Sequence, residues 1–235
     1  MSLSLAKRRR RPEWMDQPDL DPAAHEQALS GLARINSLSL SGAVFWPFLR
    51  DLASSLKQPV RVLDLASGGG DVVLRLASRA ARSGLAVTID ACDRSATAVD
   101  HARRRAAACG ADAHFFGCDV LHDPLPTGYD VVINSLFVHH LDGEEAVEFL
   151  HRAGSAARRL LLVSDLVRDR MGLLLAFAAT RLLTRSPIVH VDGPISVEGA
   201  FLPGELRGLA KRAGLVTASV RRHWPCHMLL TWRRP

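Results

Sequence analysis

The sequence lacks several features that would assign it to a common functional class. It has no run of 18 or more apolar residues, so we expect no membrane-spanning helix. Its basic start is followed by residues 12–16 (PEWMD) rather than by an apolar core, which argues against a secretory signal. Its four cysteines show neither a CxxC motif nor metal-ligand spacing. We therefore expect a cytoplasmic protein whose cysteines are reduced and buried, namely Cys92, Cys109, Cys118 and Cys226.

Aromatic residues are also scarce, although the chain is basic. The net charge is +6, a balance often found in proteins that bind nucleic acid. The positive charge is nearly all arginine and lies in short clusters spread along the chain, the first of them in a terminal tail. An aromatic fraction of 6%, with a single tyrosine, offers few platforms on which bases could stack. These features favour solvated arginines, and nucleic acid is not the expected partner.

A glycine cluster that follows a short apolar strand is the most informative motif. Residues 62–71 read VLDLASGGGD, and an apolar helical run follows from Val72 to Ala77. Glycines let the backbone turn sharply and approach a ligand closely. A strand, turn and helix of this kind place the ligand at the C-terminal edge of a parallel sheet. The spacing is neither G-x-G-x-x-G nor that of a phosphate loop, which needs a lysine.

Acidic residues follow at the ends of the next predicted strands. Residues 86–93 form an apolar, β-branched run that ends in Asp93, roughly 20 residues after the glycines. A carboxylate at that spacing accepts hydrogen bonds from two ribose hydroxyls. A third predicted strand covers 113–120, and a fourth covers 129–135. Three acids after three successive strands, at 64, 93 and 119, jointly indicate a nucleotide-type cofactor site.

The glycine loop resembles motif I of the class I S-adenosylmethionine-dependent methyltransferases, D-x-G-x-G-x-G, with Ala66 in place of the first glycine. The resemblance covers about residues 58–233 and implies S-adenosylmethionine as the cofactor. It also implies an α/β, Rossmann-like fold with a seven-stranded, mostly parallel sheet, an antiparallel edge hairpin, and helices on both faces. We expect Ala66 to adopt an ordinary backbone conformation, so that cofactor binding is retained.

By the same resemblance, Asp119 would accept the adenine amino hydrogen and Val120 would pack near the ring. The predicted cofactor-binding residues are Asp64, Ala66, Ser67, Gly68, Gly70, Asp71, Asp93, Arg94, Asp119, Val120, Asn134 and Ser135.

The chain divides into an N-terminal tail and helical cap over 1–57 and a cofactor-binding domain over 58–235. Residues 1–20 are expected to be irregular, and Asp21-Pro22 predicts the start of a helix. The resemblance implies that such N-terminal helices fold over the cofactor. A lid is predicted near 168–200, because residues 171–183 are apolar on nearly every side and must be buried or face an apolar partner. The alternative for this segment is an ordinary core helix.

Histidines after the fourth strand are the candidate catalytic bases. Methyl transfer is an in-line displacement, and a base helps when the acceptor is a phenol or enol. His139 and His140 follow the fourth strand, and either could be the base. His190 with Asp192 could act as base and orienter, or as polar anchors of the acceptor. No spacing of histidines, cysteines or carboxylates suggests a metal site.

The acceptor is the least constrained part of the prediction. Residues 12–16 and 31–36 resemble a bacterial subgroup of small-molecule methyltransferases, and apolar segments with histidines suit a hydroxylated aromatic, polyketide-like or quinone-like acceptor. The segment after the fourth strand, NSLF at 134–137, lacks the prolines that shape a slot for a flipped base. C-methylation, an RNA-directed methyltransferase and a cofactor-binding scaffold without turnover are the alternatives. A homodimer through the N-terminal helices is also open.

Overall fold

The computed structural model describes residues 5–17, 19–39, 41–56 and 58–235. The strands in these ranges are β1 (Val60–Leu65), β2 (Val87–Asp93), β3 (Ala113–Gly117), β4 (Tyr129–Ser135), β5 (Ala157–Leu166), β6 (Ser219–His223) and β7 (His227–Arg233). The α-helices are α1 (Pro22–Leu38), α2 (Trp46–Ser55), α3 (Asp71–Arg82), α4 (Ala96–Cys109), α5 (Gly143–Ala156), α6 (Arg170–Leu183), α7 (Pro187–Gly199) and α8 (Pro203–Arg212).

The strands form a single sheet in the order β3-β2-β1-β4-β5-β7-β6. β1 to β5 run parallel to one another, and β7 runs antiparallel to both β5 and β6. The order reverses between β1 and β4, so the loops after these two strands diverge and leave a crevice at the carboxyl edge of the sheet. The predicted Rossmann-like fold with an antiparallel edge hairpin is confirmed.

Two hydrophobic cores cover the two faces of the sheet. Successive residues of a strand point to opposite faces, and β1 shows this, since Val62 packs in one core and Leu63 in the other. The first core lies against α5 and α8, and the second against α2, α3 and α4. Because both faces are buried, the parallel strands are apolar almost throughout. A rigid sheet of this kind holds the strand ends in fixed positions.

Turns and a cap set the bounds of several elements. β3 stops at Gly117 instead of 120, because the chain turns there: the Asp119 carboxylate accepts a hydrogen bond from the Leu121 backbone N–H at 2.9 Å. β6 begins at Ser219, since residues 215–218 form a turn closed by a bond from the Ala218 N–H to the Leu215 oxygen. The predicted α1 cap is confirmed, with Asp21 accepting from the Ala24 N–H at 2.8 Å.

The N-terminal segment 5–17 packs beside the carboxyl edge of the sheet. Arg8 donates to the backbone oxygens of His139 at 2.9 Å and Leu141 at 2.6 Å. Its guanidinium carbon lies 3.6 Å from the centre of the Phe201 ring. The prediction that the tail arginines are solvated is therefore wrong for Arg8, because backbone carbonyls and an aromatic face take the place of water around its charge.

The helix α6 is only partly buried, and the sequence predicted a segment that is either buried or faces an apolar partner. Only Gly172 and Thr180 in it are buried, while four large apolar side chains are at least half exposed, namely Met171, Leu174, Phe177 and Leu182. α6 and α7 occupy the position of the predicted lid. The division at residue 57 remains a prediction, and Lys57 and residues 1–4 lie outside the described residues.

The cysteines are free, but they are not all buried. Cys92 and Cys118 lie in the core, Cys226 is half-buried, and Cys109 is exposed at the C-terminal end of α4. The prediction of burial is therefore wrong for Cys109. Across the described ranges, no helix combines the length and apolarity that crossing a membrane requires.

Candidate active site

A cavity of about 1350 Å³ lies at the C-terminal ends of the parallel strands. The loop after β1 and the ends of β2 and β4 line one part of it, and α1, α6, α7 and the N-terminal segment line the rest. This is the edge at which open α/β sheets bind ligands. All of the predicted cofactor-binding residues except Gly70 and Asn134 line the cavity.

Gly70 and Asn134 support the cavity from behind. Gly70 has a φ of 72°, and a Cβ atom on it would lie 2.7 Å from the Phe115 ring. Glycine is therefore required for close packing of the loop onto the core. The Asn134 amide donates to the Leu65 oxygen at 2.7 Å within the sheet. Neither residue lines the cavity, and Asn134 Oδ1 is buried without a partner among the described residues, so their contact with the cofactor remains a prediction.

Asp93 ties the end of β2 to the glycine loop. Its Oδ2 accepts a hydrogen bond from the Gly68 N–H at 2.8 Å, and its Oδ1 accepts one from the Ser95 N–H at 2.9 Å. Burial raises the pKa of Asp93, and the two backbone bonds act in the opposite direction. Each carboxylate oxygen can accept a further bond, so Asp93 can hold the loop and still bind hydroxyl groups in the cavity.

Three buried carboxylate or hydroxyl oxygens of residues that line the cavity have no hydrogen-bond partner among the residues that the structure describes. They are Asp64 Oδ1, Asp71 Oδ2 and Ser135 Oγ. Burial, and then the charges of Asp71 and Asp93, raise the pKa of Asp64 well above its usual range. Buried polar atoms without partners are costly and rare in folded proteins. This part of the cavity therefore suits a ligand that carries N–H donors and a positive charge.

Asp119 lies at the opening of the cavity, in the turn after β3. Its carboxylate accepts from the Leu121 N–H at 2.9 Å and lies 3.0 Å from the His122 Nδ1 atom. Partial burial opposes ionisation, but these bonds lower the pKa of Asp119. Val120 beside it lines the cavity and is buried. The roles predicted for these two residues toward adenine remain predictions.

Ala66 adopts a left-handed backbone conformation, with a φ of 54°. The prediction of an ordinary conformation at this position is wrong, because the chain must turn abruptly from β1 into the glycine loop. An L-residue in this region brings its Cβ close to the following carbonyl oxygen, at a cost of about 1–2 kcal/mol. Position 66 thus has the geometry of a glycine but carries a methyl group.

We expect Ala66→Gly to raise the free energy of unfolding by about 1 kcal/mol, since relief of this strain exceeds the added entropy of an unfolded glycine. Denaturant unfolding measures the change. Ala107→Gly, at an exposed position of α4, is the matched control and should destabilise by about 1 kcal/mol. Destabilisation of similar size in both variants would show that position 66 is unstrained.

A histidine and an aspartate form a buried pair on the far side of the cavity. His139 lies on the 3-10 turn Val138–His140, directly after β4, and is 5% exposed. Its Nδ1 lies 2.6 Å from Asp165 Oδ1, and its backbone N–H donates to Asp165 Oδ2 at 2.9 Å. Asp165 carries the negative charge in this pair, since the His139 contacts lower its pKa against the effect of burial. An Nδ1–H bonded to a carboxylate leaves Nε2 as the proton acceptor.

The His139 Nε2 atom points toward Glu13 of the N-terminal segment. The two atoms Nε2 and Glu13 Oε1 are 3.6 Å apart, which is beyond hydrogen-bond distance. Glu13 is instead bonded by the Ser196 hydroxyl at 2.6 Å. His139 and Glu13 both line the cavity, so a ligand there can reach them.

His140 has a different environment from its neighbour. Its Nδ1 lies 2.9 Å from Asp16 Oδ2 and 3.9 Å from Glu13 Oε1, and Arg94 contacts the other Asp16 oxygen at 3.1 Å. Burial would lower the pKa of His140, but the carboxylates of Glu13 and Asp16 override it and raise the pKa to about 9. His140 is therefore a cation at neutral pH and a poor proton acceptor.

We expect this ion cluster to make stability depend on pH. A folded-state pKa of about 9 against an ordinary value of 6.5 corresponds to roughly 3 kcal/mol. Because the pKa is raised, the stabilisation is complete below the unfolded value and is lost as pH rises through the folded one. Denaturant unfolding should give a lower free energy of unfolding at about pH 9.5 than at about pH 6 for the wild type. In His140→Asn this difference between the two pH values should disappear. An equal loss in both proteins would assign it to other groups.

Glu13, His139 and His140 also form the one group of metal-ligand type found among the described residues, with ligand atoms within 4.8 Å of one another. Sequence spacing gave no sign of it, because Glu13 comes from a distant segment. A protonated imidazole has no lone pair for a metal, and His140 is held as a cation. Two ligands remain, fewer than the three of a catalytic zinc site. The absence of a metal stays a prediction, and the geometry favours an ion network.

The predicted pairing of His190 with Asp192 is wrong. Both residues lie on α7, but the His190 Nε2 atom is 2.9 Å from the Thr184 oxygen and does not line the cavity. Asp192 does line it, and its two oxygens accept from the Trp14 and Met15 N–H groups at 2.9 and 3.0 Å. Burial raises the pKa of Asp192 to about 6. Asp192 thus anchors the N-terminal segment over the cavity.

Four residues of this region were missed as site residues: Glu13, Asp16 and His227, which line the cavity, and Asp165, which bonds His139. Asp165 could have been found, since it lies near the end of β5 just as the predicted acids lie near the ends of their strands. His227, on β7, is buried. Burial, and then His223, lower its pKa to about 4, so it is neutral at physiological pH.

Comparisons with known proteins agree with this geometry. A family model described as a methyltransferase domain matches residues 62–159. A demethylmenaquinone methyltransferase of Thermus thermophilus is 34% identical over 109 residues, which make up 46% of this chain and 48% of that protein. The chain therefore aligns with about half the length of this curated relative.

Solved structures share the whole architecture. The S-adenosylmethionine-dependent methyltransferase SibL superimposes with a TM-score of 0.66 at 21% identity, covering 93% of this chain and 60% of SibL. A SAM-dependent methyltransferase from Aquifex aeolicus gives a TM-score of 0.62 at 17% identity, covering 92% of this chain and 99% of the other. At these identities the likeness establishes the fold.

Proposed function

Since this chain carries a class I S-adenosylmethionine-dependent methyltransferase domain, we propose that it transfers a methyl group from S-adenosylmethionine to a hydroxyl group of a hydrophobic small molecule. The acceptor is aromatic, polyketide-like or quinone-like. One observation carries the proposal: a single cavity joins the glycine loop and its unpartnered acceptors to the buried His139–Asp165 pair.

The residues around the glycine loop fit the cofactor. Asp64, Asp71 and Ser135 offer acceptors to its amino-acid end, where an ammonium group supplies donors. Asp93 offers carboxylate oxygens to the ribose hydroxyls, and Gly68, with its φ of 53°, lets the backbone approach them. When bound, the cofactor supplies an electrophilic methyl group on a positively charged sulfur.

His139 is the proposed base. Asp165 fixes its tautomer, so that Nε2 can accept the proton of a hydroxyl group placed in the cavity. The resulting imidazolium is stabilised by the Asp165 carboxylate. His140, already protonated, would instead position Asp16 and the N-terminal segment that closes the site. The inner face of α6 supplies apolar walls through Leu175, Ala179 and their neighbours, which exclude water from the reaction.

C-methylation is the second candidate, because loss of a phenolic proton activates a ring carbon as well as the oxygen. The relative named as a demethylmenaquinone methyltransferase supports a quinone-type acceptor for either reaction. Chromatography and NMR of the product distinguish them, since an O-methyl ether retains every ring hydrogen.

Calorimetric titration with S-adenosylmethionine and S-adenosylhomocysteine tests the proposal, with NAD and ATP as controls. We expect saturable binding of the two sulfur compounds alone, followed by acceptor-dependent formation of S-adenosylhomocysteine in a screen of phenols and quinols. A folded protein that binds neither sulfur compound would overturn the proposal. Binding without turnover on any acceptor would favour a scaffold.

A further inference from the structure

The helix α6 is apolar on two opposite faces. Its inner face, which includes Leu175, Ala176 and Ala179, lines the cavity. Its outer face carries Met171, Leu174, Phe177 and Leu182, whose exposed fractions are 57, 62, 50 and 83%. Monomeric proteins in water rarely expose a contiguous patch of large apolar side chains, and such a patch marks an interaction surface.

The β6–β7 hairpin extends this apolar outer face at the start of α6. Trp224 at its tip is 76% exposed. The Arg222 guanidinium lies 3.0 Å from the carboxylate of Asp169, which caps α6, and Cys226 lies against Gly172. Trp224 also lines the cavity. The cavity therefore opens to the surface beside the outer face of α6.

The exposed charged side chains at the outer face of α6 are all positive. Arg170 and Arg181 on α6, and Arg185 two residues beyond its end, are exposed. No ion pair found among the described residues involves any of them, and Arg181 instead lies 3.4 Å from the centre of the Phe177 ring. The sequence from 170 to 191 contains no aspartate or glutamate.

We propose that the outer face of α6, together with Trp224, docks on the surface of a lipid bilayer that contains anionic lipids. Apolar side chains bordered by arginines, with a tryptophan at the edge, match the boundary between headgroups and acyl chains. The arginines match the charge of the headgroups. A second copy of the chain is the weaker fit, because a symmetric contact would bring the two sets of arginines together without a counter-charge.

The docking proposal extends the proposed function and names the source of its acceptor. A quinone-like molecule resides in the bilayer, and the cavity opening beside Trp224 would face it directly. The binding of this surface to lipid needs no catalysis, so it can be tested on its own.

Co-sedimentation with vesicles tests the docking. We expect binding to vesicles of phosphatidylcholine mixed with phosphatidylglycerol and much weaker binding to phosphatidylcholine alone. Arg170→Gln with Arg185→Gln should weaken binding to the anionic vesicles on the order of tenfold, since each arginine near an anionic surface contributes severalfold. Leu174→Ser with Phe177→Ser should also weaken binding at least tenfold.

The matched control is Val216→Ser, which changes an apolar side chain that is 70% exposed. Its neighbour Leu215 packs on Gly154, near the start of β5 and thus at the opposite edge of the sheet from α6. This variant should bind vesicles as the wild type does.

Equal vesicle binding by all variants, or no binding by the wild type, would overturn the docking proposal. So would a dimer, measured by light scattering, that the Leu174 and Phe177 changes convert to a monomer. Calorimetry with S-adenosylmethionine separates the two proposals. A protein that binds the cofactor but not vesicles rejects only the docking proposal. A protein that binds vesicles but not the cofactor rejects only the proposed methyltransferase activity.

Discussion

Replacing Asp93 with alanine should weaken the binding of S-adenosylmethionine about tenfold to 100-fold. The carboxylate is half-buried beside the glycine loop, and a hydrogen bond to a charged group contributes roughly 1.5–3 kcal/mol. Calorimetric titration measures the change. Asp90→Ala is the matched control on the same strand, since Asp90 bonds the Tyr129 hydroxyl and does not line the cavity.

The Asp93 variant could also weaken binding by loosening the loop, because Asp93 accepts the Gly68 N–H. A ligand that lacks the ribose 3′-hydroxyl separates the two effects. If Asp93 binds the ribose, S-adenosylhomocysteine should lose much more affinity in the variant than its 3′-deoxy analogue does. Equal losses for both ligands would refute the ribose assignment and leave Asp93 as a residue that holds the loop.

The part of the cavity around the glycine loop was predictable, because the residues that form it belong to short motifs that can be found locally in the sequence. Asp64, Asp93 and Asp119 each follow a short apolar strand, and the topology of a parallel sheet brings such positions to one edge. The fourth strand was predicted with the bounds Tyr129–Ser135 that the structure gives. The backbone of Ala66 was not predictable, since the residue type contradicts the conformation that the turn imposes.

The side of the cavity that carries His139 and His140 could be predicted only in part, because it depends on contacts between distant segments. Glu13 and Asp16 reach His139 and His140 only when the N-terminal segment folds across the edge of the sheet. Helix α7 was not foreseen, since Gly193 and Pro194 in its middle are typical helix breakers.

The same limit applies to α6. Where nearly every position is apolar, periodicity cannot show which face is buried, and a buried helix and one that faces an apolar partner give the same pattern. The structure separates the two faces, and Leu174 lies on the exposed one.

The choice between the two adjacent histidines illustrates how environment decides chemical role. His139 hydrogen-bonds Asp165 through Nδ1, and its Nε2 lies 3.6 Å from Glu13 without a hydrogen bond, whereas His140 contacts Asp16 directly and its pKa is raised to about 9. A base must be unprotonated before the reaction. Since the surroundings of His140 favour its protonated form, His139 is the one of the two that we propose as the base.

Replacing His139 with glutamine should lower kcat about 100-fold or more on an acceptor found in the screen, since general base catalysis contributes roughly 10²–10⁴-fold. Binding of S-adenosylmethionine should be unchanged, because the hydrogen bonds of His139 go to Asp165 and Arg8 and not to the glycine loop. His190→Gln is the matched control, since that ring bonds a backbone oxygen outside the cavity and its loss should leave kcat unaltered. If the His139 variant kept full activity, His139 would not be the base, and catalysis would depend on positioning of the acceptor and the cofactor alone.

Asp165→Asn tests whether the carboxylate acts through His139. An amide can hold the ring but cannot stabilise the imidazolium, so kcat should fall while the KM for the acceptor stays within about twofold. The pH profile of kcat should also move to a lower apparent pKa, because loss of a negative charge beside an imidazole disfavours its protonated form. A structural role would instead lower stability without moving the profile. If the pH profile of kcat shifts in Asp165→Asn, and the shift disappears when His139→Gln is added to that variant, the two residues act as one proton-accepting unit.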